Sequence, residues 1–407
     1  MTDETKFTII IPTRERSKVL PWAIKTCLIQ DYNNFEIIVS DNNSQDDTHN
    51  VVISLNDKRI KYINPKKRLG MSQHWEFALS HVTEGFVTIL GDDDGLMPSA
   101  LKEVNELIKK TNCQAIKCDC IDYNWPDHIS KFRKNLISFS KIEDKFEVLQ
   151  TKNELNDVLE DKQSYANLPG IYKGFLDINL LNKLKGSKNR VFNSITPDVY
   201  LALAIPSQLE DYCFSHKPFA INGASAFSNG VSSSAKNKKD RQAINMFLQE
   251  DNIPFHSKLE FISHSVPLII VECLLQAIDN GLYNASNFDI NKILLAALER
   301  TIPQNQKEIE LFYAIARKNG ISKEVINEIL QKQSLEQKLN NSNRMFKFKN
   351  RYLSNIQDNT IDGNNLYIKN VYDAALLLQP IIDKKELKKV SINTPFKKMI
   401  RDIKQLF

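Results

Sequence analysis

At 407 residues the chain is longer than the roughly 250–300 that one core usually serves, so a main domain with an appended one is expected. With 42% hydrophobic and 25% charged residues the composition is that of a globular protein and excludes wholesale disorder; a net charge of +5 is too weak for a nucleic-acid binder but suits a phosphate-bearing ligand or an anionic membrane surface. Six cysteines, at 27, 113, 118, 120, 213 and 273, lack the paired spacings of a zinc site or a secreted disulfide framework and point to a reducing cytoplasm.

The polar start, Met1 to Lys6, runs into a strand without an apolar signal core. The longest apolar stretch, Val266 to Ala277, is broken by Pro267, Glu272 and Gln276 and falls short of the roughly 20 residues of a membrane span. A cytoplasmic location is expected.

Phe7 to Ile11 is a β-rich run closed by Pro12, and Ser17 to Gln30 then carries Val19, Leu20, Ala23, Ile24, Cys27 and Leu28 at helical spacing. A second strand, Phe35 to Ser40, ends in Asp41-Asn42-Asn43-Ser44, a turn-and-cap sequence before a helix over Thr48 to Leu55. The pattern repeats with a strand at Ile60 to Ile63, a helix from Met71 to Val82, a strand at Gly85 to Leu90 and a helix from Ser99 to Lys110. Such alternation predicts a mostly parallel sheet covered by helices, with ligands beyond the strands' carboxyl ends.

A further strand is expected at Ala115 to Tyr123, followed by a charged stretch, Lys131 to Glu160, without a clear period. Tyr172 to Leu184 reads as a helix, and Thr196-Pro197-Asp198 opens another, since Pro and an acid suit a first turn. Phe214 to Ile221 returns to strand, and Gly223 to Gly230 is a small-residue loop at which the main domain ends. Ala243 to Gln333 is helical in period, with stops at Asn280-Gly281 and Asn319-Gly320. Residues 334–368 read as a loose connection. The end concentrates Lys384, Lys385, Lys388, Lys389, Lys397, Lys398, Arg401 and Lys404, with Phe396, Met399, Ile400, Ile403, Leu406 and Phe407 on one face, as a membrane-surface helix requires. The expected division is 1–235 main domain, 236–340 helical appendage and 341–407 linker with a basic amphipathic C-terminal helix.

Three consecutive carboxylates, Asp92-Asp93-Asp94, follow the apolar strand ending at Leu90. They would repel one another in a dry strand end, so a divalent cation is their natural company. Such a cation stabilises negative charge growing on phosphate oxygens. Lys66, Lys67 and Arg68 ahead of Gly70 form a basic loop that could meet phosphates, Arg68 foremost.

These motifs, taken in order, resemble the nucleotide-binding half of family 2 glycosyltransferases of the GT-A fold, particularly bacterial surface-polysaccharide enzymes. The matching stretches are Ile9 to Arg16, Glu36 to Ser44, Gly70 before its helix and Gly91 to Pro98. The resemblance implies an α/β, Rossmann-like mixed sheet, mostly parallel, flanked by helices, with an α-helical C-terminal appendage. It implies that Pro12, Thr13, Arg14 and Arg16 border the nucleotide, that Asp41 meets the base, and that Arg68 and Gly70 lie by the donor phosphates. Asp92 or Asp93 would lie near the ribose, with Asp94 the favoured direct ligand of Mn²⁺ or Mg²⁺ and Asp92 sharing the metal. Gly91 stands where the family's Asp-x-Asp-Asp has its first acid.

Asp198 resembles the family's acidic position for the base that deprotonates an acceptor hydroxyl, with Glu210-Asp211 the rival pair. His216 is a possible metal or diphosphate contact, against a plain structural role. Trp75 and Trp125 read first as core and second as sugar-stacking rings. Ser225, Ser228 and Asn229 are candidates for acceptor or phosphate contacts, with Gly223 and Gly230 as hinges.

The expected activity is inverting, metal-dependent transfer of a sugar from a nucleotide donor, UDP foremost, to a glycan or lipid-linked acceptor in bacterial surface polysaccharide synthesis. The protein would sit at the inner face of the plasma membrane, touching anionic lipid through its C-terminal helix, with a homodimer possible. A nucleotidyltransferase would want a glycine-rich loop after the first strand, which Pro12 to Arg16 lacks. A non-catalytic carbohydrate-binding scaffold of the same fold is the other alternative, and Gly91 is its best support.

Overall fold

The computed structural model describes residues 4–140, 142–228, 232, 242–250, 252–336 and 360–383. Strands β1 (Phe7–Thr13), β2 (Phe35–Asp41), β3 (Ile60–Ile63) and β4 (Phe86–Ile89) run parallel in the order β4-β1-β2-β3. β1 is buried on both faces, as the centre of a covered parallel sheet requires, and its β-branched Ile9, Ile10 and Ile11 fit that setting. Helices α1 (Leu20–Leu28), α2 (Thr48–Ser54) and α3 (Met71–Leu79) make the crossovers, so every β-to-α loop among them opens at the same edge.

After β4 come the two-residue β5 (Gly95–Leu96) and α4 (Ala100–Thr111). The chain leaves α4 through Asn112 in the left-handed region (φ 55°), a conformation that closes helices and that Asn tolerates. β6 (Ala115–Asn124) and β10 (Asp211–Ala224) form a second long parallel ladder. Short antiparallel pairings complete the sheet: β7 (Leu136–Ser138) on β6, β8 (Phe146–Gln150) on β10, and β9 (Phe175–Asp177) between β6 and β4. The sheet is thus mixed, with most of its paired residues in parallel ladders.

Alternate side chains of β1 feed two cores. Ile9 and Ile11 pack with α1, α2 and α4, whereas Ile10 packs with α3, α5 (Thr151–Leu159), α6 (Ile178–Lys183) and α7 (Pro197–Ala204). The helix Val266–Asp279 borders this second core through Cys273 and Leu274. Its opposite side, Val271 and Leu275, enters a third cluster with Leu294, Leu298, Phe312 and Ile326 from the helices that follow. One helix therefore serves as the shared wall between sheet and helical appendage. Its predicted stop and the later one fall at Gly281 and Gly320, both at positive φ.

Two expectations need correction. Tyr172 to Leu184 is not one helix: Phe175–Asp177 pairs with both β4 and β6, and α6 begins only at Ile178. The three residues are drawn into strand form by the ladders on either side, which outweigh their helical spacing. Nor is 334–368 merely a connection, because β11 (Thr360–Asp362) extends the sheet beside β7. The helix Val371–Asp383 then buries Val371, Ala374, Leu378 and Ile381 in the same core as α1 and α4. The basic C-terminal segment lies outside the described residues. Among the described residues no helix is long and apolar enough to cross a membrane.

Candidate active site

The parallel register sets Thr13 beside Asp41 at the carboxyl ends of β1 and β2. β4 continues one residue further along β1, where Leu90 donates its N–H to Ile10 at 2.9 Å, and the chain then folds into a turn closed by Asp94 N–H to Gly91 O at 3.1 Å. That turn stacks Asp92, Asp93 and Asp94 at the centre of the sheet's functional edge, with exposures of 5%, 5% and 0%.

The three acids have different company. Asp94 accepts from the backbone N–H groups of Gly91 (3.0 Å) and Gly223 (2.7 Å) and from the Tyr172 hydroxyl (2.6 Å), and the Lys173 ammonium lies 3.7 Å away. Asp92 accepts from Thr13 Oγ1 and Arg16 Nη1, both at 2.8 Å. Asp93 gathers Ser225 N–H (3.2 Å) and the hydroxyls of Ser225 (2.6 Å) and Ser228 (2.5 Å) on Oδ2, with Arg16 at 3.6 Å. Burial raises the pKa of Asp92 to about 6 against the opposing pull of Arg16, and raises that of Asp94 against Lys173. Burial also works against the Arg16 charge, but Asp92 and Asp93 outweigh it and hold its pKa above the ordinary value.

Two glycines are explained by this crowding. A Cβ on Gly91 would lie 2.6 Å from Asp94 Oδ2 and 2.7 Å from the Tyr172 hydroxyl, so the place of a first acid is filled by those groups. A Cβ on Gly223 would fall 1.7 Å from the Asp93 carbonyl; close backbone approach, rather than hinging, demands glycine there.

A divalent cation of this kind keeps several waters and takes one or two carboxylates beside phosphate oxygens. Among the described residues no group of three or more His, Cys, Asp or Glu side chains could hold a metal ion by itself. Both oxygens of Asp94 are engaged, and both of Asp92 are bonded, whereas every described contact of the Asp93 carboxylate falls on Oδ2. Asp93 Oδ1 is the one side-chain oxygen of the triplet without a described hydrogen bond, which suits it to a cation, whereas Asp92 and Asp94 would have to share theirs with the groups they already bond.

Around the triplet lies a basic rim. Arg14 pairs with Glu250, and Arg68 pairs with Glu15 at 2.8 Å while its other terminal nitrogen, Nη1, is buried without a hydrogen-bond partner. Glu15 also accepts the N–H groups of Gln45 and Asp46, tying the β1 loop to the β2 loop. Gly70 caps α3 through Gln73, just after Leu69, which is clamped in both directions by Asn42 (2.8 and 2.9 Å). Asp41 is 1% exposed and accepts from Ser44 N–H, the Tyr62 hydroxyl and Asn64, so its local task is to fix this wall. Pro12 carries β1 into the loop.

Asp198 stands in the first turn of α7, where burial raises its pKa against its own N–H, that of Val199 and the Lys173 charge. Tyr172 lies in the field of Asp94, Asp93 and Asp198 together, so Asp198 and the triplet share one neighbour. Lys173 sits over the Tyr172 ring at 4.1 Å with φ 57° and bonds Asn222. Neither residue was singled out by the sequence, and no local signal marks them.

His216 is a correction. Its ring nitrogens face Asp119 (3.5 Å) and Glu147 (3.0 Å), seven residues along β10 from Gly223, or roughly 20 Å of strand. Of the rival pair, Asp211 opens β10 and meets the Cys113 thiol, away from the triplet. Trp75 is core, stacked on Tyr172 at 5.9 Å, but Trp125 donates its indole N–H to the Asp93 carbonyl at 2.9 Å. Asn229 and Gly230 lie outside the described residues.

The acidic turn lies at the carboxyl edge of the parallel strands, where such sheets bind ligands, and residues 8–171 match the model of glycosyl transferase family 2. The match covers less than half of the chain, which over those residues is similar to a family 2 glycosyltransferase domain. It is similar, at 42% identity over 110 residues, to the GalNAc(5)-diNAcBac-PP-undecaprenol beta-1,3-glucosyltransferase of Campylobacter jejuni, with 26% of this chain and 35% of that one covered. An Escherichia coli relative, UDP-Glc:alpha-D-GlcNAc-diphosphoundecaprenol beta-1,3-glucosyltransferase WfgD, is 27% identical over 110 residues, 27% of this chain and 44% of its own. The chain thus spans well under half the length of these relatives. Among solved structures, S. aureus TarS 1–349 in complex with UDP-GlcNAc aligns over 82% of this chain and 92% of that one, at 17% identity and a TM-score of 0.49. A family 2 domain leaves the nucleotidyltransferase reading without support.

Proposed function

We propose that the protein is an inverting glycosyltransferase that moves a sugar from a UDP donor to a glycan or lipid-linked acceptor of a bacterial surface polysaccharide, at the cytoplasmic face of the membrane. The observation that carries this reading is Arg16 paired with a buried acidic turn at the carboxyl edge of the parallel strands, with Arg14 on the same loop and Arg68 bonded to that loop's Glu15, its Nη1 left unpartnered and suited to a phosphate oxygen. The names of the similar proteins, both transferases acting on undecaprenyl diphosphate-linked sugars, agree with it.

In this mechanism Asp198 accepts the proton of the acceptor hydroxyl as that oxygen attacks the anomeric carbon, and the nucleoside diphosphate leaves from the opposite face. Burial suits Asp198 to the task by raising its proton affinity. Arg14, Arg16 and Arg68 bind the departing diphosphate. Mn²⁺ or Mg²⁺ bound by Asp93, with Asp92, would supply charge neutralisation of the leaving oxygens. Tyr172 and Lys173 hold Asp94 so that the turn keeps its shape, and Ser225 and Ser228 orient Asp93.

The test is release of nucleoside diphosphate from a panel of UDP-sugars with Mn²⁺, with and without a diphosphoprenyl-linked sugar acceptor. Release that rises sharply with acceptor supports the proposal. Pyrophosphate release, or no turnover with any donor and acceptor, would sink it.

A further inference from the structure

The loop between β6 and β7 is closed at its base on the acidic turn. Trp125, whose indole donates to the Asp93 carbonyl, accepts through its own carbonyl the N–H groups of His128 (3.0 Å) and Asn135 (3.4 Å). Between those two ties the chain makes tight turns, Arg133 N–H to Ser130 O at 3.0 Å and Leu136 N–H to Arg133 O at 3.2 Å. Asn135, 3% exposed and at φ 57°, fixes the outgoing arm by donating to Asn364 (3.0 Å) and to the Ile368 carbonyl (2.8 Å).

What this anchored loop presents is Lys131-Phe132-Arg133-Lys134, all four exposed, with Phe132 83% exposed. A solvated charge run has no use for a bare phenylalanine, and an apolar protein partner would not be matched by three cations packed around one ring. Exposed Lys369 lies next to Ile368 at the same corner, and Asp127 is the one acid from Trp125 to Ser140. Aromatic residues with Lys and Arg around them partition into the headgroup layer of an anionic bilayer, the ring at the acyl boundary and the cations among lipid phosphates.

We propose that the Lys131–Lys134 loop docks on an anionic lipid surface. It rests on the proposed transferase reading only for its purpose: it would seat the Asp93 turn beside the headgroup layer, where a prenyl-linked acceptor presents its diphosphate sugar. The contact is distinct from the basic C-terminal segment, and it is built from described residues joined to the site through Trp125.

The experiment is co-sedimentation of the full chain with phosphatidylcholine vesicles, pure or with phosphatidylglycerol to about a third of the lipid. Wild type should partition only onto the anionic vesicles. Each cation near such a surface is worth about fivefold in partition, so Lys131→Gln/Arg133→Gln/Lys134→Gln should lower it at least about 50-fold and Phe132→Ser about tenfold. Thermal unfolding and donor hydrolysis in solution should stay at wild-type values, because all four side chains are exposed.

Partition of the triple variant within about twofold of wild type would overturn the proposal. So would binding to a soluble acidic polysaccharide that the variants lose while vesicle binding persists, which would mark the loop as a glycan contact. Absence of turnover with any sugar donor would overturn the transferase reading and leave the partition result standing.

Discussion

The Tyr172 hydroxyl donates to Oδ2 of Asp94 at 2.6 Å across 78 residues of sequence, making the most buried acid of the triplet a strut between two strand ends. Asp94→Ala should therefore destabilise the fold by about 3–5 kcal/mol, since it strands Lys173 and two backbone N–H groups in a buried setting. Tyr172→Phe should cost about 1.5–3 kcal/mol. Asp93→Ala should cost less stability than Asp94→Ala but abolish the Mn²⁺ dependence of UDP binding. Denaturant titration and calorimetry separate these; equal stability losses for Asp93→Ala and Asp94→Ala would contradict the division of labour.

Asp92 gives the fold a pH signature. Its folded pKa of about 6 stands above the ordinary 3.8, so the folded chain holds this proton more tightly than the unfolded one. The associated stability is fully present below about pH 3.8 and is lost as pH rises through about 6. Asp92→Asn, which cannot titrate, should gain on wild type by up to about 3 kcal/mol between pH 4 and pH 7. A variant-minus-wild-type difference that is flat across that range would refute the assignment.

Removing the proposed base should separate chemistry from binding. Asp198→Asn is expected to lower kcat by about 10²–10⁴ while leaving UDP affinity near wild type, as measured by steady-state kinetics and calorimetry. Comparable loss of both would return Asp198 to a helix-start role.

Glu250 occupies the guanidinium of Arg14, and burial raises its pKa against the Arg14 and Arg68 charges. It thus competes with any phosphate for that arginine. Glu250→Gln should tighten UDP binding about three- to tenfold and steepen its salt dependence. Weaker binding would show that Glu250 orients Arg14 toward the nucleotide instead.

The parallel half of the sheet was legible because its strands are short β-branched runs ending in Pro, Asp or Gly, signals that are local. The acidic turn was legible by its place behind such a strand, but its inner roles were not. Asp92, Asp93 and Asp94 are adjacent in sequence, and partners remote in sequence, among them Thr13, Tyr172 and Ser225, tell them apart. Ser225 and Ser228 were found by their loop chemistry and assigned to a ligand, whereas they bond a carboxylate. Tyr172 and Lys173 were hidden at the start of a segment with helical spacing, in which neighbours on both sides draw Phe175–Asp177 into strand form. His216 could not be placed because strand character fixes neither how far along a strand a residue lies from a site nor which acids meet it.

The strand Thr360–Asp362 and the helix Val371–Asp383 close the sheet domain, down to Gln379 bonding Ser99 at the start of α4. On the ribosome, the strands of the acidic turn emerge long before these residues, and the helices after Val266 come out in between. One flank of the first core therefore stays uncovered until Val371–Asp383 has emerged, and apolar faces of α1 and α4 remain open to chaperones or to wrong partners meanwhile. The sheet that holds the acidic turn thus starts from its earliest strands and closes only with a helix more than 270 residues later than that turn.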